Sequence, residues 1–346
     1  VITAFVYACK YWILHGVFGQ IEADVMHHAD VYLLIVTASI PFIALYNGGA
    51  AVFRAMGNSE VSMKVSLLMN AINVSGNAIL IYGFHCGTEG VAIPTLVSRF
   101  VAAFIIIKLL LKDKWSLHLE RTFRFNPDWS MIRKILSVGI PNGLENSMFQ
   151  LGKVLVLSLV STFGTYAIAA NAVSNVITLF SILPGQAICL AVTTVIARCV
   201  GAGDYEQAKY YNKKLILLTH IGMAITIFIV FITLPFILKV YNLSEAASEA
   251  TRHIIWFHGF CAILIWAESF TLPATFRACG DAKACMIIST VSMWIFRVGA
   301  SYILGKNLGL GVFGVWVAMI IDWAFRSLLF GIRYFSGKWK KHALVS

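Results

Sequence analysis

Charge is what this chain is short of. Of its 346 residues only 12% are Asp, Glu, Lys or Arg, while 59% are hydrophobic. Soluble domains carry roughly 25% charged residues. The mean hydropathy is +0.80. Too little polar sequence remains to cover a large soluble fold. Acids are the scarcer sign, with 16 Asp and Glu against 27 Lys and Arg, a net charge of +11. The seven cysteines (9, 86, 189, 199, 261, 279 and 285) are scattered without a C-x-x-C pair. That spacing excludes the usual zinc and redox motifs. There is no phosphate-binding loop, G-x-S-x-G elbow or H-E-x-x-H helix, so the signatures of an enzyme are missing. No basic stretch is interleaved with aromatics as nucleic-acid binding would require. Contact with anionic membrane lipid accounts for the positive charge more simply.

What is present is a series of apolar runs. A helix needs ~20 apolar residues to cross the hydrocarbon. Ten segments approach or exceed that length, near 1–15, 29–53, 61–83, 90–111, 131–161, 166–197, 213–240, 252–276, 282–304 and 311–335. Lys and Arg concentrate in every second loop, as cytoplasmic loops should. Those loops hold Arg54 and Lys64, then the run from Lys108 to Lys134, then Arg198 to Lys214, then Arg277 and Lys283. The intervening loops hold only Lys239, Arg252 and Lys306. The alternation puts the C-terminal tail, with Arg333, Lys338, Lys340 and Lys341, in the cytoplasm.

A repeat organises these spans. Phe53-Arg54-Ala55-Met56-Gly57-Asn58 returns as Phe276-Arg277-Ala278-Cys279-Gly280-Asp281, 223 residues on (276 − 53). Each copy closes one span, and the next span runs to a Gly-rich loop, at Gly83 and at Gly305. A repeat of this length is a duplicated half rather than a solenoid unit, and duplicated halves of membrane spans mark secondary transporters. The second copy is preceded by two spans with no counterpart before the first, and the chain opens on Val1 inside an apolar run. The expectation is an N-terminally truncated, all-α integral membrane protein with about ten of twelve spans present. Two six-helix bundles should be related by a pseudo-two-fold axis along the membrane normal. The expected division is 1–112 for an N-lobe, 113–130 for a cytoplasmic linker and 131–346 for a C-lobe with its tail.

Three further stretches join the repeat: Gly139-Ile140-Pro141-Asn142-Gly143-Leu144-Glu145, Ala169-Ala170-Asn171-Ala172-Val173, and Val200-Gly201-Ala202-Gly203-Asp204-Tyr205-Glu206-Gln207-Ala208. Taken in order, the four resemble the multidrug and toxic compound extrusion (MATE) family. That resemblance implies export of bulky organic cations by a monomer in a bacterial inner membrane, in exchange for Na+ or H+ and with no cofactor beyond that ion. Alternatives of other classes are a lipid or lipid-linked oligosaccharide flippase of a related fold, and a non-transporting membrane scaffold. A flippase would need a strongly cationic cavity, and few Lys or Arg are expected to face inward.

A charge at the bilayer centre costs at least ~2.5–3.5 kcal/mol, so buried carboxylates mark cavities or partners. Three lie within apolar runs: Glu145, Glu268 and Asp322. Glu145 and Glu268 are the candidates for coupling to Na+ or H+. The competing reading of Glu145 is an acid near a helix start, and of Glu268 an ion pair with Arg297 or Lys153. Thr271 and Thr275 are expected on the helical face of Glu268. Asp322 and Arg326, one turn apart, are expected to form a structural ion pair. Ser66, Asn70, Asn73 and Asn77 share one helical face, as do Asn171, Ser174, Asn175 and Thr178, and either stripe could line a cavity or join helices. Met293 and Phe296 occupy second-half positions matching Asn70 and Asn73, and would give an apolar cavity wall. Arg99, mid-span, corresponds to Asp322 in the second half and is expected to pair structurally across equivalent spans.

Overall fold

The computed structural model describes residues 2–12, 14, 23–120 and 127–342. Among these the secondary structure is helical, with no strand. The chain forms two compact units, 1–126 and 127–346.

In the first unit α1 (Ile2–Trp12), α2 (Ala23–Ala38), α3 (Ile40–Ala55), α4 (Ser59–Ala78) and α5 (Glu89–Leu110) follow in order. α5 packs on α2, α3 and α4. The break between α2 and α3 falls at Ser39, ahead of Pro41, whose ring cannot supply the backbone N–H that would carry the helix through. Ser39 turns its hydroxyl onto the Val36 carbonyl and accepts from Arg99 Nη1 at 2.7 Å. Arg99 is therefore satisfied inside its own unit, not by a partner on an equivalent span.

The second unit holds α6 (Trp129–Ser161), α7 (Thr165–Gly201), α8 (Tyr205–Tyr241), α9 (Glu245–Trp266), α10 (Leu272–Ala278), α11 (Ala282–Ser292) and α12 (Gly311–Phe335). α7 packs on α8, α9 and α10, and α6 on α11. At ~1.5 Å per residue, the 37 residues of α7 or α8 make ~55 Å, well beyond the ~30 Å hydrocarbon core. Their core is aromatic. Trp266 stacks on Phe270 at 5.0 Å, and Phe270 meets Trp323 edge-on. His258, 3% exposed, lies edge-on to both Trp316 and Trp323, so it is a core residue. Close approach of α7 and α9 depends on Gly185, where a Cβ would sit 2.2 Å from the Trp266 ring.

Eight helical segments among the described residues are long and apolar enough to span a membrane. Of the ten expected, α6 is continuous over 33 residues but is not one of the eight, since Asn142, Glu145, Asn146, Gln150 and Lys153 along it make it less apolar. The first expected span falls partly outside the described residues, α1 being the described part.

The repeated hexapeptide proves to be a helix terminator. Gly57 and Gly280 adopt φ of 81° and 85°, the left-handed region that suits glycine. The Asn58 and Asp281 N–H groups reach back to the Phe53 and Phe276 carbonyls, both at 2.9 Å. This is the six-to-one closure that satisfies the last carbonyls of a helix. Phe53 and Phe276, each 0% exposed, anchor the two caps. The spans after each copy also end alike, in π-helical turns at Ile79–Gly83 and Tyr302–Asn307 that begin at the repeat's own spacing.

Candidate functional site

The polar chemistry of the second unit gathers along α6, on two π-helical turns and on α12. α6 starts at an Asp128 cap, whose carboxylate accepts from the Ser130 and Met131 N–H groups. Glu145 therefore lies well inside a continuous helix and not near a helix start, despite the Gly-Ile-Pro-Asn-Gly run before it. The N-terminal dipole, which acts only within the first turn, does not account for it. Its carboxylate is 9% exposed, and both oxygens accept from Arg277 Nη2, at 2.8 and 2.9 Å. Arg277, assigned to a loop by sequence, sits in the last turn of α10 and leans back toward α6.

This pair faces a cavity of about 620 Å³, whose walls include Asn142, Phe149, Gln186 and Arg326. Arg326 lies over the Phe270 ring at 4.6 Å and donates to Ser289 Oγ at 3.1 Å. Its Nε and Nη1, and the Nε of Arg277, are buried without a hydrogen-bond partner among the described residues. Asp322, expected to pair with Arg326, instead accepts from Ser292 Oγ at 2.5 Å. No ion pair joins Asp322 to Arg326 among the described residues. Both share a face of α12, but the guanidinium is drawn off by the Phe270 ring and α11.

Glu268 does not line this cavity. It sits on the π-helical turn Ala267–Thr271, created where Leu272 N–H reaches back five residues to the Ala267 carbonyl. Pro273, one residue past Leu272, has no N–H to offer Ser269. Glu268 turns to His220 of α8, with Oε1 2.9 Å from Nε2 and the other ring nitrogen 2.7 Å from the Ile263 carbonyl. The two side chains keep 31% and 26% exposure, while Glu268 Oε2 is buried without a hydrogen-bond partner among the described residues. Neither Arg297 nor Lys153 is its partner. Thr271 and Thr275 are fully buried elsewhere, Thr275 donating to Asn212.

Glu145 and Glu268 thus answer to different partners and do not share one chamber. Sodium needs several oxygen donors gathered around it. The Glu145 oxygens are already given to a guanidinium, and no cluster of three or more metal-binding side chains exists among the described residues. The residues present do not fit a sodium site made jointly by Glu145 and Glu268.

A second cavity, about 190 Å³, is lined by Lys153, Asn171, Asn175, Arg297, Trp316 and apolar neighbours. Asn171 accepts from Trp316 Nε1 at 3.1 Å, and Asn175 donates to the Asn171 carbonyl. Of the other expected lining residues, Met293 is 1% exposed and packed against Gly152, where a Cβ would meet its methyl at 2.4 Å. Phe296 packs on Phe325 at 4.3 Å. Both are bundle filling, not cavity wall. In the first unit Asn73 donates to Thr95 and Asn77 to Asn73, joining α4 to α5, while Asn70 is exposed. That stripe holds helices together; none of the three lines a described cavity. The expectation of few inward cations also fails: Lys153, Arg277, Arg297 and Arg326 all face the two cavities. The residues missed in the sequence were His220 and the pairing role of Arg277. A histidine amid apolar residues of α8 was the one available signal for the first.

The sequence profile of the MatE family matches residues 1–79 and 141–303. The chain is 26% identical over 339 residues to a probable multidrug resistance protein NorM of Thermotoga maritima, covering 96% of this chain and 72% of that protein. It is 27% identical to the uncharacterized transporter YisQ of Bacillus subtilis, covering 98% and 74%. Among solved structures it superposes on a MATE protein in the bent conformation with a TM-score of 0.86, at 20% identity and covering 98% and 75% of the two chains. It also superposes on a MOP superfamily transporter from Pyrococcus furiosus, for which a reverse polarity of the binding pocket suggests a different function. That match has a TM-score of 0.87 at 21% identity, over 97% and 75%. The apolar helices, the duplicated caps and these relatives together make the chain an integral membrane protein of the MatE family, the multidrug and toxic compound extrusion transporters.

Proposed function

We propose that the protein is a secondary active exporter of small amphipathic molecules, working by alternating access and driven by protons that bind at His220 and Glu268. The observation that carries this reading is the hydrogen-bond arithmetic of His220. A carbonyl can only accept, so the nitrogen facing Ile263 must bear hydrogen. The other nitrogen faces a carboxylate oxygen at 2.9 Å, so that contact needs one more proton. With it, the pair is a charge-assisted hydrogen bond joining α8 to the π-helical turn. Without it, a nitrogen lone pair faces an anionic oxygen and the contact repels. One proton therefore switches the α8 contact, and it is held while the proton is bound and lost as pH rises.

The organic-cation substrate implied by the family resemblance depends on a carboxylate free to meet it. Glu145 would have to release Arg277 to do so. A second reading, carriage of a lipid-linked anionic head group, is favoured by one observation, the four cations lining the cavities. Full-length protein in proteoliposomes tests the main reading, with a fluoroquinolone as cargo and pH or sodium gradients imposed separately. Flux should follow the pH gradient and fall sharply in Glu268→Gln and His220→Gln. Undiminished pH-driven flux in both variants, or flux driven by sodium alone, would reject it.

A further inference from the structure

The smaller cavity of the second unit is lined by two cations and by no carboxylate. Lys153 of α6 and Arg297 of the π-helical turn Met293–Gly299 both contribute to its lining. They converge on one ring, Lys153 Nζ 5.1 Å and Arg297 Cζ 5.2 Å from the Phe149 centroid. Neither side chain makes a hydrogen bond or an ion pair among the described residues, and the residues lining the cavity include no carboxylate. Among the described residues, the charge that acts on Lys153 is Arg297, a like charge. Arg297 feels Asp322 and Arg326, one of each sign. Asp322 takes a hydrogen bond from Ser292 on Oδ1, its Oδ2 is buried without a hydrogen-bond partner among the described residues, and it makes no ion pair with Arg297 there.

The rest of the interior does not restore neutrality. Four cations face the two cavities, Lys153, Arg277, Arg297 and Arg326, and the carboxylates among or beside them are Glu145 and Asp322. Glu268 is committed to His220. Two positive charges are left over (4 − 2), and Lys153 and Arg297 in the smaller cavity, like Arg326 in the larger, make no ion pair among the described residues. Arg297, partly buried, is expected to be paired, and Lys153 reaches the same cavity from its exposed rim. A shared aromatic face offsets only ~0.5–2 kcal/mol per cation. The neighbouring groups complete a recognition surface. Asn175 and Asn171 lie beside the cations as polar groups, while Trp316, Val315, Met319 and Leu157 provide an apolar wall. Arg presents a planar fork of donors and Lys a point charge, a pairing suited to carboxylate or phosphate.

We propose that this cavity binds the oxyanion group, carboxylate or phosphate, of an amphipathic small molecule, seated between Lys153 and Arg297 with its apolar body against Trp316. At about 190 Å³ the space takes a head group and one ring, not a bulky drug. The proposal deepens the transport reading by naming a substrate class. Binding is measured at equilibrium without any gradient, so loss of transport and loss of binding are separable.

The test is calorimetric titration of phenyl phosphate into full-length protein in phosphatidylcholine nanodiscs, with benzyltrimethylammonium as the cationic counterpart of similar size. Phenyl phosphate should bind. Its affinity should fall at least tenfold in Lys153→Gln and in Arg297→Gln and stay within about threefold of wild type in Lys153→Arg. Benzyltrimethylammonium should neither bind there nor compete. Repeating the titration in phosphatidylglycerol nanodiscs separates the sources. A weakened apparent affinity means a lipid phosphate occupies the cavity, and an unchanged one means a soluble anion does; either supports the site. If Arg297→Gln fails to fold, Lys153→Gln and Lys153→Glu decide, because Lys153 is exposed at the cavity rim and tolerates replacement. Equal binding of phenyl phosphate by wild type and Lys153→Glu, or displacement by benzyltrimethylammonium, would overturn the proposal.

Discussion

Removing Arg277 alone from the Glu145–Arg277 pair should cost far more than removing both charges together. The carboxylate is 9% exposed and both oxygens rely on one guanidinium nitrogen at 2.8 and 2.9 Å. Arg277→Gln leaves that carboxylate buried with a neutral partner. Stranding one member of a buried pair costs ~3–5 kcal/mol, and the lower figure fits here because the 620 Å³ cavity can admit water. Glu145→Gln is milder. Arg277 is 24% exposed and Gln retains an oxygen acceptor, so the loss is that of a charged for a neutral hydrogen bond, ~1–2 kcal/mol. The double variant Glu145→Gln/Arg277→Gln keeps two neutral side chains of nearly the same length and should cost only ~1–2 kcal/mol in total. The coupling energy is then ~3 kcal/mol, roughly a hundredfold in the folded-to-unfolded ratio. Unfolding titrations followed by tryptophan fluorescence, on all four proteins in one detergent, supply the cycle. Additivity within ~0.5 kcal/mol would refute the argument, since groups that do not interact add to that accuracy.

Three further outcomes follow from the packing. Gly185→Ala should force α7 away from α9, its new carbon falling 2.2 Å from the Trp266 ring, and lower stability by ~1–3 kcal/mol with a loss of near-UV circular dichroism. Gly280→Ala should cost ~1–2 kcal/mol at φ 85°, and Gly280→Asn less, because asparagine tolerates the left-handed region; thermal unfolding ranks the two. His258→Phe should be neutral within ~1 kcal/mol and leave transport unchanged. Its ring is buried edge-on to two tryptophans and makes no hydrogen bond among the described residues, so an apolar aromatic of similar shape serves as well.

The spans and their order were legible because burial of a helix in lipid leaves a long apolar run whatever its neighbours are. The repeated cap was legible because a left-handed Gly followed by Asn or Asp is a local requirement, met by Gly57-Asn58 and Gly280-Asp281. The three membrane carboxylates stood out for the same reason, each being costly enough to demand a partner. Their partners did not stand out. Arg277 closes a cap that Arg54 closes equally well, and nothing local distinguishes the copy that meets a carboxylate 132 residues away. His220 lies 48 residues from Glu268, on another helix. Asp322 and Arg326 show the converse error: the i,i+4 spacing was right and the pairing was not, because Ser292 and Phe270 outcompeted it.

The wheel itself fails where the chemistry sits. Glu268 and Arg297 both occupy π-helical turns, where the hydrogen bond runs over five residues and an extra residue is taken up. That insertion rotates the face that follows. Thr271 and Thr275, aligned with Glu268 on an α-helical projection, are instead buried at 0% exposure while the Glu268 side chain stays 31% exposed. Phe296, four residues before Ala300 on the same kind of turn, moves off the cavity that Arg297 enters. A π-helical turn leaves backbone groups less well paired than an α-turn, so it persists only where a side chain held in the altered direction offsets the cost. In the second unit one such turn directs a carboxylate at His220, and another places a guanidinium in a cavity without an acid. If straightening the first, by Pro273→Ala, returned the segment to α-helical hydrogen bonding with His220 and Glu268 still in contact, the turn would have no part in positioning the proton site. The expected result is the opposite: Glu268 swings toward the face of Thr271, pH-driven flux drops, and binding of phenyl phosphate at Lys153 and Arg297 is unaffected.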